Sequence, residues 1–214
     1  MNRSFHLANG VISADGLVSI SKLKTHGFTG MTGSVKNQLG CIPGLRKAEY
    51  HARLPDPDSF SRMLVELTLT ISPRLYVMDG ILAMEGKGPN AGSPRQLGVI
   101  LISTDPVALD LTAAKIIGFP EDSLFVLKHG QNLKLGNGQA PNLVGDEPGT
   151  FYTADFELAD LHFSFKQSIL IKLFRNRVLP RPTLKKKLCT GCGRCTEICP
   201  VNPKAVEVNP STAK

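Results

Sequence analysis

Apolar residues recur with two different periods along residues 1–158, and the alternation between them predicts an α/β domain. Residues 16–20 (GLVSI) form a short strand-like run that enters Ser21-Lys22-Leu23-Lys24. Asp56-Pro57-Asp58 opens a helix: Asp56 can cap it, Pro57 fits the first turn, and Phe60, Met63, Leu64, Leu67 and Ile71 keep one helical stripe. Residues 74–78 (RLYVM) read as a buried strand ending at Asp79-Gly80, and residues 97–102 (LGVILI) as a second, nearly continuous apolar strand. Asp105-Pro106 then starts a helix through Ala108, Leu109, Leu111, Thr112, Lys115 and Ile116, closed by Gly118 and Pro120. Strands apolar on both sides, alternating with helices, predict a mostly parallel sheet with helices on its faces.

The pattern changes after residue 158. Residues 159–187 read as a connector, with Ile169, Leu170, Leu173, Phe174 and Val178 on one helical face and Lys166, Lys172, Arg175 and Arg177 around the rest. Such a helix packs on the α/β body with its charges in water, or rests on an anionic membrane or an acidic partner; packing is the favoured reading. Pro180-Arg181-Pro182 breaks it and leads extended into residues 188–214, a small separate segment. Within that segment residues 205–208 (AVEV) alternate like a short strand.

Charge sharpens this division. The chain carries a formal net charge of +7, yet no acidic residue stands between Asp160 and Glu197, where nine lysines and arginines fall. The basicity belongs to one segment, so an overall pI is a poor argument for nucleic-acid binding. Aromatic residues do not interleave with the basic run as base stacking requires, and a nucleic-acid role is not expected. No apolar run approaches the ~20 residues of a membrane-spanning helix, and residues 1–10 contain no signal-peptide core.

The C-terminal segment contains the strongest chemical signal: Cys189-x2-Cys192-x2-Cys195-x3-Cys199-Pro200. This is the spacing of a bacterial-type iron–sulfur run, and thiolates are the soft ligands such clusters select. Zinc sites pair two Cys-x2-Cys hooks across a longer gap, and disulfide frameworks scatter their cysteines through small secreted domains. A 4Fe–4S cluster held by Cys189, Cys192, Cys195 and Cys199 is the favoured reading. In two-cluster ferredoxins the last cysteine of such a run serves the other cluster. Three of these thiols would then hold one cubane and Cys199 a second, whose own run is not within the 214 residues. This half module is expected to hold a labile, substoichiometric or 3Fe–4S-like centre. Thiols poised for iron imply a reducing compartment, hence the cytoplasm.

Two stretches of the α/β part carry candidate chemistry. Residues 22–37 (KLKTHGFTGMTGSVKN) bring Lys24, His26 and Lys36 together with three glycines between a strand and a helix. Glycine-rich turns entering helices bind anions through exposed amides, although neither a Walker A loop nor Gly-x-Gly-x-x-Gly is present. Residues 79–94 (DGILAMEGKGPNAGSP) place Asp79 at the expected carboxyl end of a strand, where α/β sheets bind ligands, and Glu85 six residues on. Such a carboxylate pair suits acid–base chemistry or a hard cation; capping and turn formation are the competing explanations. His51 and His129 are further candidates, each alone more often structural.

The stretches KLKTHGFTGMTGSVKNQLGCIPG, His51, DGILAMEGKGPNAGSP and STDPVALD, in this order, resemble domain of unknown function family 362 over residues 14–130, and the cysteine run resembles the ferredoxin module its members often carry. The resemblance implies no established reaction. Members usually have more α/β structure before the Lys-Thr-His stretch and a second cysteine run, so the chain is expected to be a fragment cut at both ends, with an incomplete sheet.

Two functional expectations follow. The first is a 4Fe–4S redox protein passing single electrons to a partner protein or to the α/β domain. The second is an enzyme of unassigned reaction on a small anionic substrate, with Lys24, His26, Lys36, Asp79 and Glu85 as candidates and the cluster auxiliary. Membrane-surface contact is a third, less favoured, role.

Overall fold

The computed structural model describes residues 4–137, 140–161, 189–199, 204 and 206. After a single turn α1 (Asn9–Ile12), the chain enters β1 (Val18–His26), in which Ser19, Ser21, Leu23 and Thr25 point inward and are buried. A tight turn leads to β2 (Gly30–Thr32) and the short helix α2 (Ser34–Asn37). Helices α3 (Gly44–Arg53) and α4 (Pro57–Ile71) follow. Next come two long strands, β3 (Leu75–Glu85) and β4 (Ser93–Ser103), and then α5 (Pro106–Ile116) and α6 (Phe125–Asn132).

The two predicted helix starts are present. The Asp56 carboxylate accepts from the Ser59 N–H at 2.8 Å, and the Asp105 carboxylate accepts from Val107 and Ala108 at 2.9 and 3.0 Å. Proline fills the first turn of each helix, where its missing N–H costs nothing. The α4 stripe enters the core, with Phe60, Met63, Leu64 and Leu67 at most 1% exposed. Leu23 and Met78 of the sheet join them in one cluster with Leu109, Ala113 and Ile116 of α5. Helices α2 and α5 lie against the strands, and α4 and α6 pack on that layer.

The sheet order is β2-β1-β3-β4, and the sheet is mixed, not mostly parallel as expected. Only β1 and β3 are parallel; β1–β2 and β3–β4 are antiparallel. The reason is the length of the β3–β4 link. Residues 86–92 cannot accommodate the dozen or more residues of a parallel crossover, so the chain turns back as a hairpin. The strand expected to end at Asp79-Gly80 runs on to Glu85, and Asp79 lies mid-strand opposite Ile100 rather than at a strand end. Irregular register at Gly80/Leu82 breaks the alternation there.

Nor are the strands buried on both sides. Helices cover one face, whereas Val18, Ile20, Ile100 and Ile102 are exposed on the other, Ile20 by 68% and Ile102 by 64%. Cross-strand register aligns Ile20, Val77 and Ile102 in one row of that open face. The basic connector from residue 162 onward, and most of the strand expected at 205–208, lie outside the described residues.

Candidate functional site

The glycine-rich stretch does bind an anion at its amides, and that anion is internal. Asp110, in the middle of α5, is buried; its carboxylate accepts from the Ser34 N–H at 2.5 Å and the Val35 N–H at 3.2 Å, at the start of α2. A Cβ on Gly33 would stand 2.3 Å from this carboxylate, so the glycine is what allows the approach. Burial, opposed by the two amide hydrogen bonds, pushes the Asp110 carboxyl up to about 6. Sequence reasoning missed Asp110 because its role depends on a contact across 76 positions; a polar residue on the inward side of an apolar helix was the available signal.

Anchored in this way, α2 carries Lys36 toward the end of β1, where the three basic candidates meet. His26 accepts at Nδ1 from the Phe28 N–H at 3.2 Å and the Thr29 N–H at 3.4 Å. With Nδ1 an acceptor, the neutral ring carries its proton on Nε2. Burial first, then the charges of Lys36, His51 and Lys24, lower His26 to about 3. Burial and then Lys24 lower Lys36 to about 8. His51, on α3, is lowered by burial and by Lys36; its ring stacks on Phe60 at 4.4 Å and stands 6.0 Å from Phe28. His51, which looked structural in isolation, thus belongs to the same electrostatic cluster as His26.

The carboxylate candidates are not brought into this cluster as a pair. Asp79 accepts from Lys22 Nζ at 2.5 Å and from the Ile81 N–H at 3.0 Å, and these bonds hold its carboxyl below the usual range. Glu85 accepts from the Glu157 N–H at 3.1 Å and faces Arg95 at 3.7 Å. Each is committed to the frame of the sheet. His129 pairs with Asp58 at 2.9 Å and ties α6 to α4.

The cysteine segment is a separate element. Cys189, Cys192 and Cys195 are exposed, Cys199 is half-buried, and none of the five cysteines is in a disulfide. Gly191 and Gly193 take φ of 70° and 73°, left-handed conformations that turn the backbone between successive cysteines before the single helical turn Arg194–Glu197. Hydrogen bonds from the Arg194 N–H and the Thr190 side chain lower the Cys192 thiol, favouring the thiolate that ligates metal. Lys204 Nζ donates to the Thr196 and Glu197 carbonyls at the end of this turn. Among the described residues no three His, Cys, Asp or Glu side chains are drawn together as a metal-binding group. The fit to a cluster rests on the donor set: four cysteines outside disulfides, three of them exposed, at iron–sulfur spacing.

Two families of known proteins match different stretches of the chain. The model of the 4Fe-4S binding domain matches residues 182–203, which include all four cysteines, and it identifies the cofactor as a 4Fe–4S cluster. The Thylakoid-associated protein sll1697 of Synechocystis sp. is 41% identical over 112 residues, covering 52% of this chain and 35% of that relative. The chain thus aligns with about a third of the relative's length. No solved structure matches. The model of the Domain of unknown function (DUF362) matches residues 1–115, more than half of the 214 residues, and the chain therefore belongs to that family.

Proposed function

We propose that the protein is a 4Fe–4S electron carrier that passes single electrons to a partner protein or to its own α/β domain. The observation that supports this best is the coincidence of the four-cysteine run with the 4Fe-4S binding domain at residues 182–203. When bound, a 4Fe–4S cluster takes up and releases one electron at a time. The chain supplies the thiolates of Cys189, Cys192, Cys195 and Cys199. Hydrogen bonds from the Arg194 N–H and the Thr190 side chain lower the Cys192 thiol and so favour its thiolate. Hydrogen bonds to cluster sulfurs and nearby positive charge both raise a cluster potential, and Arg194 and Lys204 sit on this segment. The nine basic residues between Asp160 and Glu197 favour encounter with an acidic redox partner.

We place this activity in the cytoplasm, in keeping with reduced thiols. No helix among the described residues is long and apolar enough to cross a membrane. The thylakoid association in the relative's name supports contact with a membrane surface, for which the basic segment has the composition. Flotation with vesicles containing or lacking anionic lipid separates the two locations.

Spectroelectrochemical titration of the anaerobically reconstituted chain tests the electron-carrier role. A one-electron Nernst curve that disappears in Cys192→Ala is the expected result. A chain whose visible absorbance does not respond to potential would refute it.

A further inference from the structure

Several lysines and arginines of the α/β body meet acidic partners: Lys22 pairs with Asp79, Arg62 with Glu66, Arg95 with Glu85 and Asp155, and Lys115 with Glu121. Lys24 and Lys36 form no ion pair among the described residues, although both are half-buried and each lies within the field of the other. The Asp110 carboxylate, which lines a small cavity with Lys36, is already occupied by the Ser34 and Val35 amides. Antiparallel register sets Thr32 directly opposite Lys24 and Gly30 opposite His26, so these side chains share one face of the β1–β2 pair. Thr32 is 8% exposed, and its hydroxyl has no hydrogen-bond partner among the described residues. His26 faces its surroundings with a fixed Nε2–H, because the Phe28 and Thr29 amides occupy Nδ1. A half-buried cluster of donors without acceptors is costly unless something anionic completes it.

We propose that Lys24, Lys36, the Nε2–H of His26 and the Thr32 hydroxyl form a binding site for a small oxyanion, the carboxylate or phosphate group of a metabolite, with His51 as its wall. The two lysines supply charge, and His26 and Thr32 supply directional hydrogen bonds. His51 presents a ring held in place by its stack on Phe60. The neutral Nε2–H form of His26 is the electrophilic donor used elsewhere to polarise a bound carbonyl without giving up a proton. The site does not depend on the cluster, so it stands or falls separately from the electron-carrier reading.

The test uses the full chain titrated with inorganic phosphate and, separately, with succinate, against sodium chloride at matched ionic strength. Imidazole NMR signals of His26 and His51 are followed together with binding heats. Either anion is expected to shift both histidines beyond the chloride control. A response to phosphate alone identifies a phosphoryl ligand, and a response to succinate alone a carboxylate. Lys24→Gln and Lys36→Gln should each weaken binding about tenfold or more, the loss expected of a charged hydrogen bond. Lys22→Gln, two residues along the same strand but paired with Asp79, should bind within about twofold of the parent, as expected of a charge outside the site. Should Lys36→Gln fail to fold, Lys24→Gln decides alone. Unmoved histidine signals with both anions, or an equal loss in Lys22→Gln, would overturn the proposal.

Discussion

Asp110 and Lys36 both ionise far from their ordinary range, and each gives a signed pH dependence. Asp110 is raised from 3.8 to about 6, mainly by burial. Between those values the folded chain holds a proton that the unfolded chain has lost. Its stabilising contribution is therefore present below about pH 4 and lost as pH rises toward 6. Asp110→Asn should flatten that part of the urea-denaturation profile, and an unchanged slope would argue against the assignment. Asp110→Ala leaves the Ser34 and Val35 amides unpaired, which should cost about 1–3 kcal/mol, read from the denaturation midpoint. Lys36 is lowered to about 8 by burial and by Lys24. The groups facing it are Lys24 and His26 of β1 and His51 of α3, with the Asp110 carboxylate of α5 already engaged. Lys36 should accordingly titrate near pH 8 in NMR of the labelled lysine, and anion affinity should fall as pH rises through that value. The candidate residues Lys24, His26 and Lys36 were legible in the sequence because a histidine and two lysines in a glycine-rich turn are a local pattern. Thr32 and Asp110 were not, since strand register and a contact between α2 and α5 define them.

Elements announced by local chemistry were the legible ones. Asp-Pro starts and apolar stripes placed α4 and α5 correctly, since a cap and a helical period are properties of neighbouring residues. The sheet was misjudged at the β3–β4 hairpin. Gly80 and the register break beside it interrupt alternation, so the continuation of β3 beyond Asp79 leaves no periodic signal. Gly88 explains part of that composition: a Cβ there would stand 2.0 Å from the Thr25 carbonyl oxygen. The hairpin loop also accepts, through the Gly88 carbonyl, from the Gly27 N–H at 3.4 Å. Gly88→Ala should therefore destabilise the protein by about 1–3 kcal/mol, as overpacking does, and should disturb the His26 signals as well. Phe60 supports the same region from below, stacked on His51 and edge-on to Phe28 at 5.3 Å. Phe60→Ala should cost about 3–5 kcal/mol in thermal or urea unfolding.

At the scale of the molecule, one face of a mixed four-stranded sheet is open and apolar, and the cysteine segment carries the one assigned cofactor. Exposed isoleucines of this kind bind hydrophobic dyes. Ile20→Lys combined with Ile102→Lys should lower dye fluorescence while changing the melting temperature little, because neither side chain lies in the core. The cysteine run was readable from spacing alone, since cluster ligation is written in a short, local repeat. The most direct test of the central claim is metal and sulfide analysis of the anaerobically reconstituted chain, with Mössbauer spectroscopy of the bound iron. The account predicts a brown protein that holds iron together with inorganic sulfide, up to roughly four of each per cluster, and loss of both in Cys192→Ala. A colourless protein that retains tightly bound zinc and no sulfide would contradict it.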